Sequence, residues 1–393
     1  MGSMATNTPR CPSFFIADNM DLNNKLHGCI VGGAVGDALG YPVEFMNYSE
    51  IIGKYDHPGI TRYHFPPSGT ALISDDTQMT IMTAAGLSEG YRHWKRYGFN
   101  MHPLKYITDA YVAWYWSQNG TEPDPMHKNY SGTLSELASL PPLRARRAPG
   151  NTCMTALAAI SDGQPVHNDS KGCGGIMRVA PIATFSVLTG QPDEGASILA
   201  AQVAAITHLH PMGYLPAALM VRVLMRILGS SRPVRVDDIS DWIEYSKVML
   251  NVCLHMLPHR QNDHSLPAEL ISKSMDAIKL ARSSMPDAEA IRRLGQGWTG
   301  DEAWYIALYC ACRHIDSFED AVTAAVNHDG DSDSTGAICG NIMGAIHGLS
   351  GIPQHYRIGL EAYGLLEIIA SRPMMESSDY KNYHSTIRNP RDN

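Results

Sequence analysis

The sequence lacks the signals of a membrane-bound, exported or nucleic-acid-binding protein. Basic residues are not in excess, since 31 lysines and arginines stand against 39 aspartates and glutamates, for a net charge of -8. A nucleic-acid-binding face would need clustered positive charge. There is no apolar run of about 18 residues and no charged-then-apolar leader. We therefore expect a soluble cytoplasmic protein that contacts neither nucleic acid nor membrane.

Cysteine pairs and the common nucleophile motifs are also missing. The eight cysteines are scattered over 393 residues and form no C-x-x-C pair, so we expect them to be reduced and mostly buried. G-x-S-x-G, H-E-x-x-H and a Cys/His nucleophile setting are absent as well. Carboxylates, hydroxyls and glycine-rich turns are left as the groups that could perform chemistry.

Alternation of apolar and polar residues, the pattern of a half-buried strand, is scarce, whereas helical spacing recurs along the chain. The sequence therefore predicts an all-α fold, with 45–73 as a loop that includes some strand. The predicted helices are 22–39, one that begins near Ser74, and then 103–118, 151–160, 176–188, 191–207, 213–228, 237–256, 265–282, 301–314, 316–326 and 356–371.

Carboxylates are densest just before one further predicted helix, which follows Asp333 and carries glycines 336, 340, 344 and 348. Asp329, Asp331 and Asp333 alternate along the chain, and hydroxyl side chains follow them. Three carboxylates within five residues repel one another unless a cation lies between them. Oxygen ligands favour magnesium, manganese or calcium over zinc or copper. An EF-hand is excluded, because its sixth position is Ser334 instead of Gly and its twelfth is Gly340 instead of Glu.

A second group of acids and hydroxyls, Ser74-Asp75-Asp76-Thr77, also precedes a helical pattern. Taken alone, this segment is explained by a helix N-cap with one extra acid. A metal site shared with the 331–335 segment explains both groups at once. We therefore expect the two segments to meet.

Two predicted helices carry glycine at every fourth residue, at 28, 32, 36 and 40 and at 336, 340, 344 and 348. This spacing puts the glycines of each helix on one face. Because each glycine costs roughly 1 kcal/mol against alanine inside a helix, such a row indicates that another backbone packs very close. We predict that the two helices pack face to face and bring the two ends of the chain together.

Three loops are candidates for contacts with a ligand. The glycine-rich turn 170–178 opens a helix, where backbone N–H groups can hold phosphate, although a plain tight turn explains it as well. His208 and His210 end a predicted helix at i, i+2 spacing, which favours C-terminal capping or a single ligand contact over a zinc site. The loop 295–300 carries Trp298, which either closes over a planar ring or simply connects two helices.

Together and in this order, five motifs resemble the ADP-ribosylglycohydrolase family, above all its dinitrogenase-reductase-activating branch and the ADP-ribosylarginine hydrolases. They are Gly36-Asp37-Ala38-Leu39-Gly40 with Glu44, Ser74-Asp75-Asp76-Thr77, the turn 172–178, Thr207-His208-Leu209-His210, and Gly330-Asp331-Ser332-Asp333-Ser334-Thr335. The resemblance covers about 24–372. It implies a compact orthogonal helical bundle with two magnesium ions, for which manganese can substitute, at the bottom of an ADP-ribose cleft.

The resemblance also implies a domain organisation. A single catalytic domain would occupy 23–373. Before it stand an expression-tag remnant, 1–3, and an N-terminal extension, 4–22, and a tail follows at 374–393.

Carried over position by position, the resemblance assigns roles to individual residues. The implied metal ligands are Ser74, Asp75, Asp76, Asp331, Asp333 and Ser334. The implied catalytic residues are Glu44, Asp76, Asp331 and Asp333, with Glu44 as a base or a metal-gating residue. The implied ADP-ribose contacts are Gly172, Gly174, Gly175, His208 and Trp298.

The activity so implied is magnesium-dependent hydrolysis of the N-glycosidic bond between ADP-ribose and arginine on modified proteins. Serine, O-acetyl or free ADP-ribose conjugates are alternative substrates, because the family spans several linkages. Two further alternatives are an inactive structural member and an immunity protein that blocks an ADP-ribosylating toxin through residues 4–22. Phe14 and Phe15 are the reason to consider that segment as a partner-binding arm.

Overall fold

The computed structural model of the protein describes residues 19–66, 69–98, 102–120, 132–257, 264–376 and 378–379. Within these ranges the regular structure is helical, which confirms the predicted all-α fold, and extended segments meet only in two isolated bridges, Ala71 with Leu360 and Gly172 with Thr299. Short 3-10 helices span Tyr41–Val43 and Cys173–Gly175. The α-helices are α1 Asn19–Gly40, α2 Tyr48–Tyr55, α3 Asp75–Tyr97, α4 Pro103–Gln118, α5 Gly132–Ala138, α6 Pro141–Arg144, α7 Asn151–Ser161, α8 Ala180–Thr189, α9 Asp193–Ala204, α10 Pro211–Leu228, α11 Val236–Glu244, α12 Lys247–Met256, α13 Leu266–Ala281, α14 Asp287–Leu294, α15 Gly300–Arg313, α16 Phe318–Val326, α17 Ser332–Gly351, α18 Gln354–Arg357 and α19 Tyr363–Ser371.

Helices α1 and α17 form the centre of the fold, and their glycine rows interlock. A Cβ added to Gly36 would lie 1.9 Å from the carbonyl oxygen of Gly336, and one added to Gly344 would lie 1.9 Å from that of Gly28. No side chain fits at such distances, so the two backbones are in direct contact. The predicted face-to-face packing of the two ends of the chain is confirmed.

The other long helices surround this pair. Helices α15 and α16 pack on α17, whereas α3, α8 and α19 pack on α1. Helix α10 crosses the interior and contacts both central helices. It is the single helix of the described ranges that is long and apolar enough to cross a membrane, and 94% of it is buried within the protein, as befits a core helix.

Several predicted helices differ from the observed ones. The prediction of one helix over 237–256 is wrong, because the chain turns at Tyr245 and Ser246 between α11 and α12. The predicted helix 356–371 is two helices, α18 and α19, separated by a turn in which Ala362 has a φ of 59°. The predicted helix 176–188 starts only at Ala180, since a 3-10 turn precedes it.

The sequence analysis missed α2, α5, α6 and α14, which are all short. Helix α2 lies in the predicted loop 45–73 and begins with a capping box, in which Asn47 and Glu50 each accept a hydrogen bond from the other's backbone N–H. This pattern is readable in a sequence and could have revealed the helix. The prediction for cysteine holds for the described residues, where seven are unpaired and all but Cys173 are buried.

Candidate active site

Three helix ends meet where the glycine rows stop. A Cβ added to Gly40, at the end of α1, would lie 2.6 Å from Cα of Asp333, in the first turn of α17. The carboxylate of Asp37, also near the end of α1, accepts hydrogen bonds from the backbone N–H groups of Ser74 at 3.0 Å and Thr77 at 3.1 Å. The last turn of α1 therefore holds the first turns of α3 and α17 together.

Helices α3 and α17 both begin with residues of the two predicted segments. Ser74 is the N-cap of α3 and accepts from the N–H of Asp76 at 3.2 Å. Asp331 is the N-cap of α17 and accepts from the N–H of Ser334 at 3.2 Å. The positive ends of the two helix dipoles point at these acids and stabilise their negative charge.

Six carboxyl groups gather at this junction, and the pKa of each is raised. Asp37, Asp75, Asp76, Asp331 and Asp333 are buried, and Glu44 is half-buried. Burial is the largest cause of each rise, and the charge of Asp333 adds to it for each of the other five. The pKa of Asp37 is raised to about 7 and that of Glu44 to about 11. Asp333 is therefore the acid whose charge acts on all the others.

The donor set of this cluster suits a hard divalent cation. Oε2 of Glu44 and Oδ2 of Asp76 are buried without a hydrogen-bond partner, which is costly unless a positive charge compensates. Within the described ranges, no three acidic, histidine or cysteine side chains are grouped so that they alone could hold an ion. Magnesium fits this site better than zinc, because the donors are carboxylate and hydroxyl oxygens, which hard cations prefer, whereas zinc favours nitrogen and sulfur ligands.

The segment after α1 carries Glu44 into the cluster and Phe45 to the surface. Phe45 has a φ of 69° and is 68% exposed. Its ring stacks on that of Trp298, with centroids 5.5 Å apart and planes at 20°. This exposed stack joins the Glu44 segment to the loop 295–300, and the sequence analysis gave no sign of Phe45.

The loop 295–300 connects the acid cluster with the glycine-rich turn. The N–H of Asp331 donates to the carbonyl of Gln296 at 2.8 Å, and the N–H of Cys173 donates to that of Trp298 at 3.2 Å. The thiol of Cys173 also donates to Oδ2 of Asp331 at 2.7 Å. The structure thus brings together the three segments that the sequence analysis listed separately.

The glycines of the turn 170–178 are required by its packing. A Cβ added to Gly174 would lie 2.9 Å from Cε1 of His208, and one added to Gly175 would lie 2.4 Å from the carbonyl oxygen of Gly213. One side of the turn is thereby closed by the protein. Because the glycine-rich turn lies beside Asp331, one ligand could contact both the turn and the acid cluster.

The two histidines have different places in the structure. His208 is buried against the glycine-rich turn, and burial together with the nearby guanidinium of Arg178 lowers its pKa to about 3. His210 is the N-cap of the following helix, α10, where its Nδ1 accepts from the N–H of Met212 at 2.9 Å. The expectation of C-terminal capping holds for the backbone of His208, whose N–H donates at 3.1 Å to the carbonyl of Ala204, the last residue of α9.

Asp37 and Cys173 are site residues that the sequence analysis did not assign. Asp37 had a readable signal, since a carboxylate in the last turn of a helix opposes the helix dipole and needs a partner elsewhere. Cys173 had none, because its partner Asp331 is 158 residues away.

Fold and site define an all-helical protein whose buried acid cluster lies where three helix ends converge, beside a glycine-rich turn. The family model for ADP-ribosylglycohydrolase matches residues 18–382. The chain belongs to the ADP-ribosylglycohydrolase family.

Individual relatives agree with this membership. An uncharacterised protein of Archaeoglobus fulgidus is 27% identical over 89% of this chain and 96% of its own length. The ADP-ribosyl-[dinitrogen reductase] glycohydrolase of Rhodospirillum rubrum is 22% identical over 84% of this chain and 88% of its own. A solved ADP-ribosylglycohydrolase-related protein complex shares the fold, with a TM-score of 0.58 at 20% identity, over 92% of this chain and 99% of the matched chain. Family membership supports hydrolysis of an ADP-ribose linkage as the activity.

Proposed function

We propose that the protein is a magnesium-dependent hydrolase that removes ADP-ribose from arginine side chains of modified proteins in the cytoplasm. The observation that carries the proposal is the buried acid cluster, in which Glu44 and Asp76 each keep an oxygen without a partner. This cluster adjoins a glycine-rich turn and an exposed aromatic stack. Such a site can hold a ligand that is anionic at one end and cationic at the other.

Each part of the site has a role in this proposal. Two magnesium ions, or manganese in their place, held by Ser74, Asp75, Asp76, Asp331, Asp333 and Ser334, would supply the positive charge that orients the ribose hydroxyls and activates water. Gly172, Gly174, Gly175 and His208 would hold the diphosphate and ribose, with Trp298 beside the sugar to which the arginine is linked. Asp76, Asp331 and Asp333 would keep the reacting groups in place.

Glu44 is the residue that we expect to move a proton during the reaction. It stands just past the end of α1, half-buried, with one oxygen that has no hydrogen-bond partner. The guanidine that leaves the anomeric carbon needs a proton, and the attacking water must lose one. A carboxyl group beside the cluster can perform either transfer.

The arginine linkage is favoured over serine or O-acetyl linkages by the aromatic stack. Phe45 follows Glu44 directly, and its ring and that of Trp298 are both exposed. A guanidinium stacks well on an aromatic face, and a neutral ester or serine oxygen gains nothing there. We therefore place the modified arginine next to this stack.

Release of ADP-ribose from defined substrates tests the proposal. The protein is incubated with magnesium and with a substrate ADP-ribosylated on arginine or on serine, with and without chelator. We expect chelator-sensitive release from arginine, its loss in Asp333→Asn, and full activity in the control Asp241→Asn, which changes an exposed acid of α11. No release from either substrate by folded, magnesium-loaded protein would refute the proposal.

Blocking of an ADP-ribosylating toxin by the N-terminal extension is a separate proposal, and most of that segment lies outside the described residues. Helix α1 begins at Asn19, so a truncation that spares the fold should end at residue 18. If the extension is a toxin-binding arm, the truncated protein should lose toxin binding and keep hydrolysis. Retained toxin binding would show that the extension is only a tail.

A further inference from the structure

Arg178 is a fully buried cation at the back of the glycine-rich turn. It is 0% exposed, and within the described ranges no carboxylate pairs with it. Its guanidinium lies 4.4 Å from the ring centroid of Tyr111, and its Nη2 donates to the hydroxyl of Thr207 at 2.7 Å. Nη2 also donates to the carbonyl of Val203 at 3.3 Å. A buried guanidinium whose oxygen partners are one hydroxyl and one carbonyl, both uncharged, is costly and calls for an explanation.

The bond from Arg178 fixes the direction of the next hydrogen bond. A guanidinium can only donate, so Oγ1 of Thr207 must accept from it. Oγ1 of Thr207 also lies 2.8 Å from Nδ1 of His208. The hydroxyl of Thr207 can therefore donate its proton to Nδ1, and polarisation by the guanidinium makes the hydroxyl a better donor. His208 is then a neutral imidazole with its proton on Nε2.

The opposite arrangement is less favourable. If Nδ1 of His208 carried the proton and donated to Thr207, the threonine proton would turn to the neighbouring sulfur of Cys153, which already accepts from Arg178 at 3.5 Å. A thiol sulfur is a much weaker acceptor than an imidazole nitrogen. The Nε2–H form of His208 is therefore selected by Thr207.

Nε2 of His208 faces the glycine-rich turn. A Cβ added to Gly172 would lie 3.0 Å from Nε2, and one added to Gly174 would lie 2.9 Å from the adjoining Cε1. Among the described residues, no hydrogen-bond acceptor engages Nε2. Burial and the charge of Arg178 keep this ring uncharged, since they lower its pKa to about 3. The N–H is thus available to an oxygen atom of a ligand.

We propose that Arg178 and Thr207 are positioning residues that hold His208 as a neutral Nε2–H donor toward an oxygen of the ligand in the Gly172–Gly175 turn. The identification of the ligand as ADP-ribose, with a phosphate or ribose oxygen as the acceptor, rests on the proposed function. The assignment of the His208 tautomer does not rest on it. Neither Arg178 nor Thr207 needs to touch the ligand.

Nitrogen-15 NMR of histidine-labelled protein tests the tautomer directly, with the His208 signals assigned by their absence in His208→Gln. We expect the pattern of an Nε2–H imidazole in the wild type and in Thr207→Ser, which keeps the hydroxyl, and loss of that preference in Thr207→Val. An Nδ1–H pattern in the wild type would overturn the inference, without the need for any variant.

Binding of free ADP-ribose, measured by calorimetry in magnesium buffer, tests the consequence. Loss of one oriented hydrogen bond should weaken binding by about tenfold in Thr207→Val, whereas Thr207→Ser should bind like the wild type. Equal affinity of Thr207→Val and wild type would overturn the positioning role. A wild type that does not bind ADP-ribose, yet shows the Nε2–H tautomer, would refute the proposed function and leave the tautomer assignment standing.

Discussion

The contact between α1 and α17 predicts that the same change, glycine to alanine, has different effects on activity at different positions of the contact. Alanine at Gly28 would put a Cβ 2.2 Å from the carbonyl oxygen of Gly344, and alanine at Gly40 would put one 2.3 Å from that of Ser332. Both neighbours are backbone atoms, so the helices must separate by about 1 Å or more to restore ordinary contact. Such overpacking costs roughly 1–3 kcal/mol of stability.

The two sites differ in their distance from the acid cluster. Gly40 adjoins Asp333 itself, whereas Gly28 lies about 18 Å away along α1. Displacement of a catalytic group by about 1 Å can cost on the order of 100-fold in rate. We therefore expect Gly40→Ala to lose about 100-fold in kcat/KM at a temperature where it is folded, and Gly28→Ala to keep most of its activity.

Unfolding midpoints and steady-state kinetics of three variants check this prediction. The control is Gly53→Ala in α2, since no atom lies within 4 Å of its added Cβ, and there alanine should stabilise by about 0.5–1 kcal/mol. Gly28→Ala and Gly40→Ala should both unfold at lower temperature than the wild type. If Gly40→Ala is as stable as the control, or as active as Gly28→Ala, the argument from the helix contact is wrong.

Three further predictions concern the site. Magnesium at about 100 times its Kd should stabilise the wild type and the control Asp241→Asn against thermal unfolding by roughly 2.7 kcal/mol. Asp333→Asn should not gain this stability from magnesium, although in chelator it should be no less stable than the wild type. If magnesium stabilised Asp333→Asn as much as the wild type, Asp333 would be excluded as a ligand. Trp298→Ala should raise KM for arginine-linked substrate about tenfold, whereas the control Trp94→Ala, which changes another exposed tryptophan, should leave KM unchanged. An unchanged KM in Trp298→Ala would show that Trp298 does not contact the substrate. The pKa of His208 falls from 6.5 to about 3 on folding, so the stability that neutral His208 confers is present above pH 6.5 and is lost as the pH falls toward 3. His208→Gln should therefore lose less stability than the wild type between pH 7 and pH 5 in urea unfolding, and parallel curves would contradict the assignment.

Periodic patterns made much of the fold predictable. The absence of strand alternation was enough for the all-α class, and the fourfold glycine spacing was enough to pair α1 with α17. Helix bounds were less predictable where a turn interrupts an apolar pattern, as at Tyr245 between α11 and α12. A short break costs few hydrogen bonds, so the spacing alone does not reveal it.

The candidate site was predictable as a set of residue types more than as an arrangement. The acids of 74–77 and 331–335 were recognisable because repulsion between close carboxylates demands a compensating charge. Three relations were not recognisable: Asp37 ties the two segments together, Phe45 stacks on Trp298, and one oxygen of Glu44 is buried without a hydrogen-bond partner. These relations depend on how the segments are oriented, which no local pattern encodes.

The sequence by itself determined the helical class, the pairing of the two glycine-bearing helices and the kinds of ligand atom on offer, because each follows from spacing along one chain segment. The tertiary structure alone decided which of these atoms meet. The thiol of Cys173 reaches Asp331 across 158 residues, and Arg178 acts on His208 through the hydroxyl of Thr207. Such contacts result from the packing of many helices at once. Each interaction is weak, and the sum of all of them fixes the positions of the side chains.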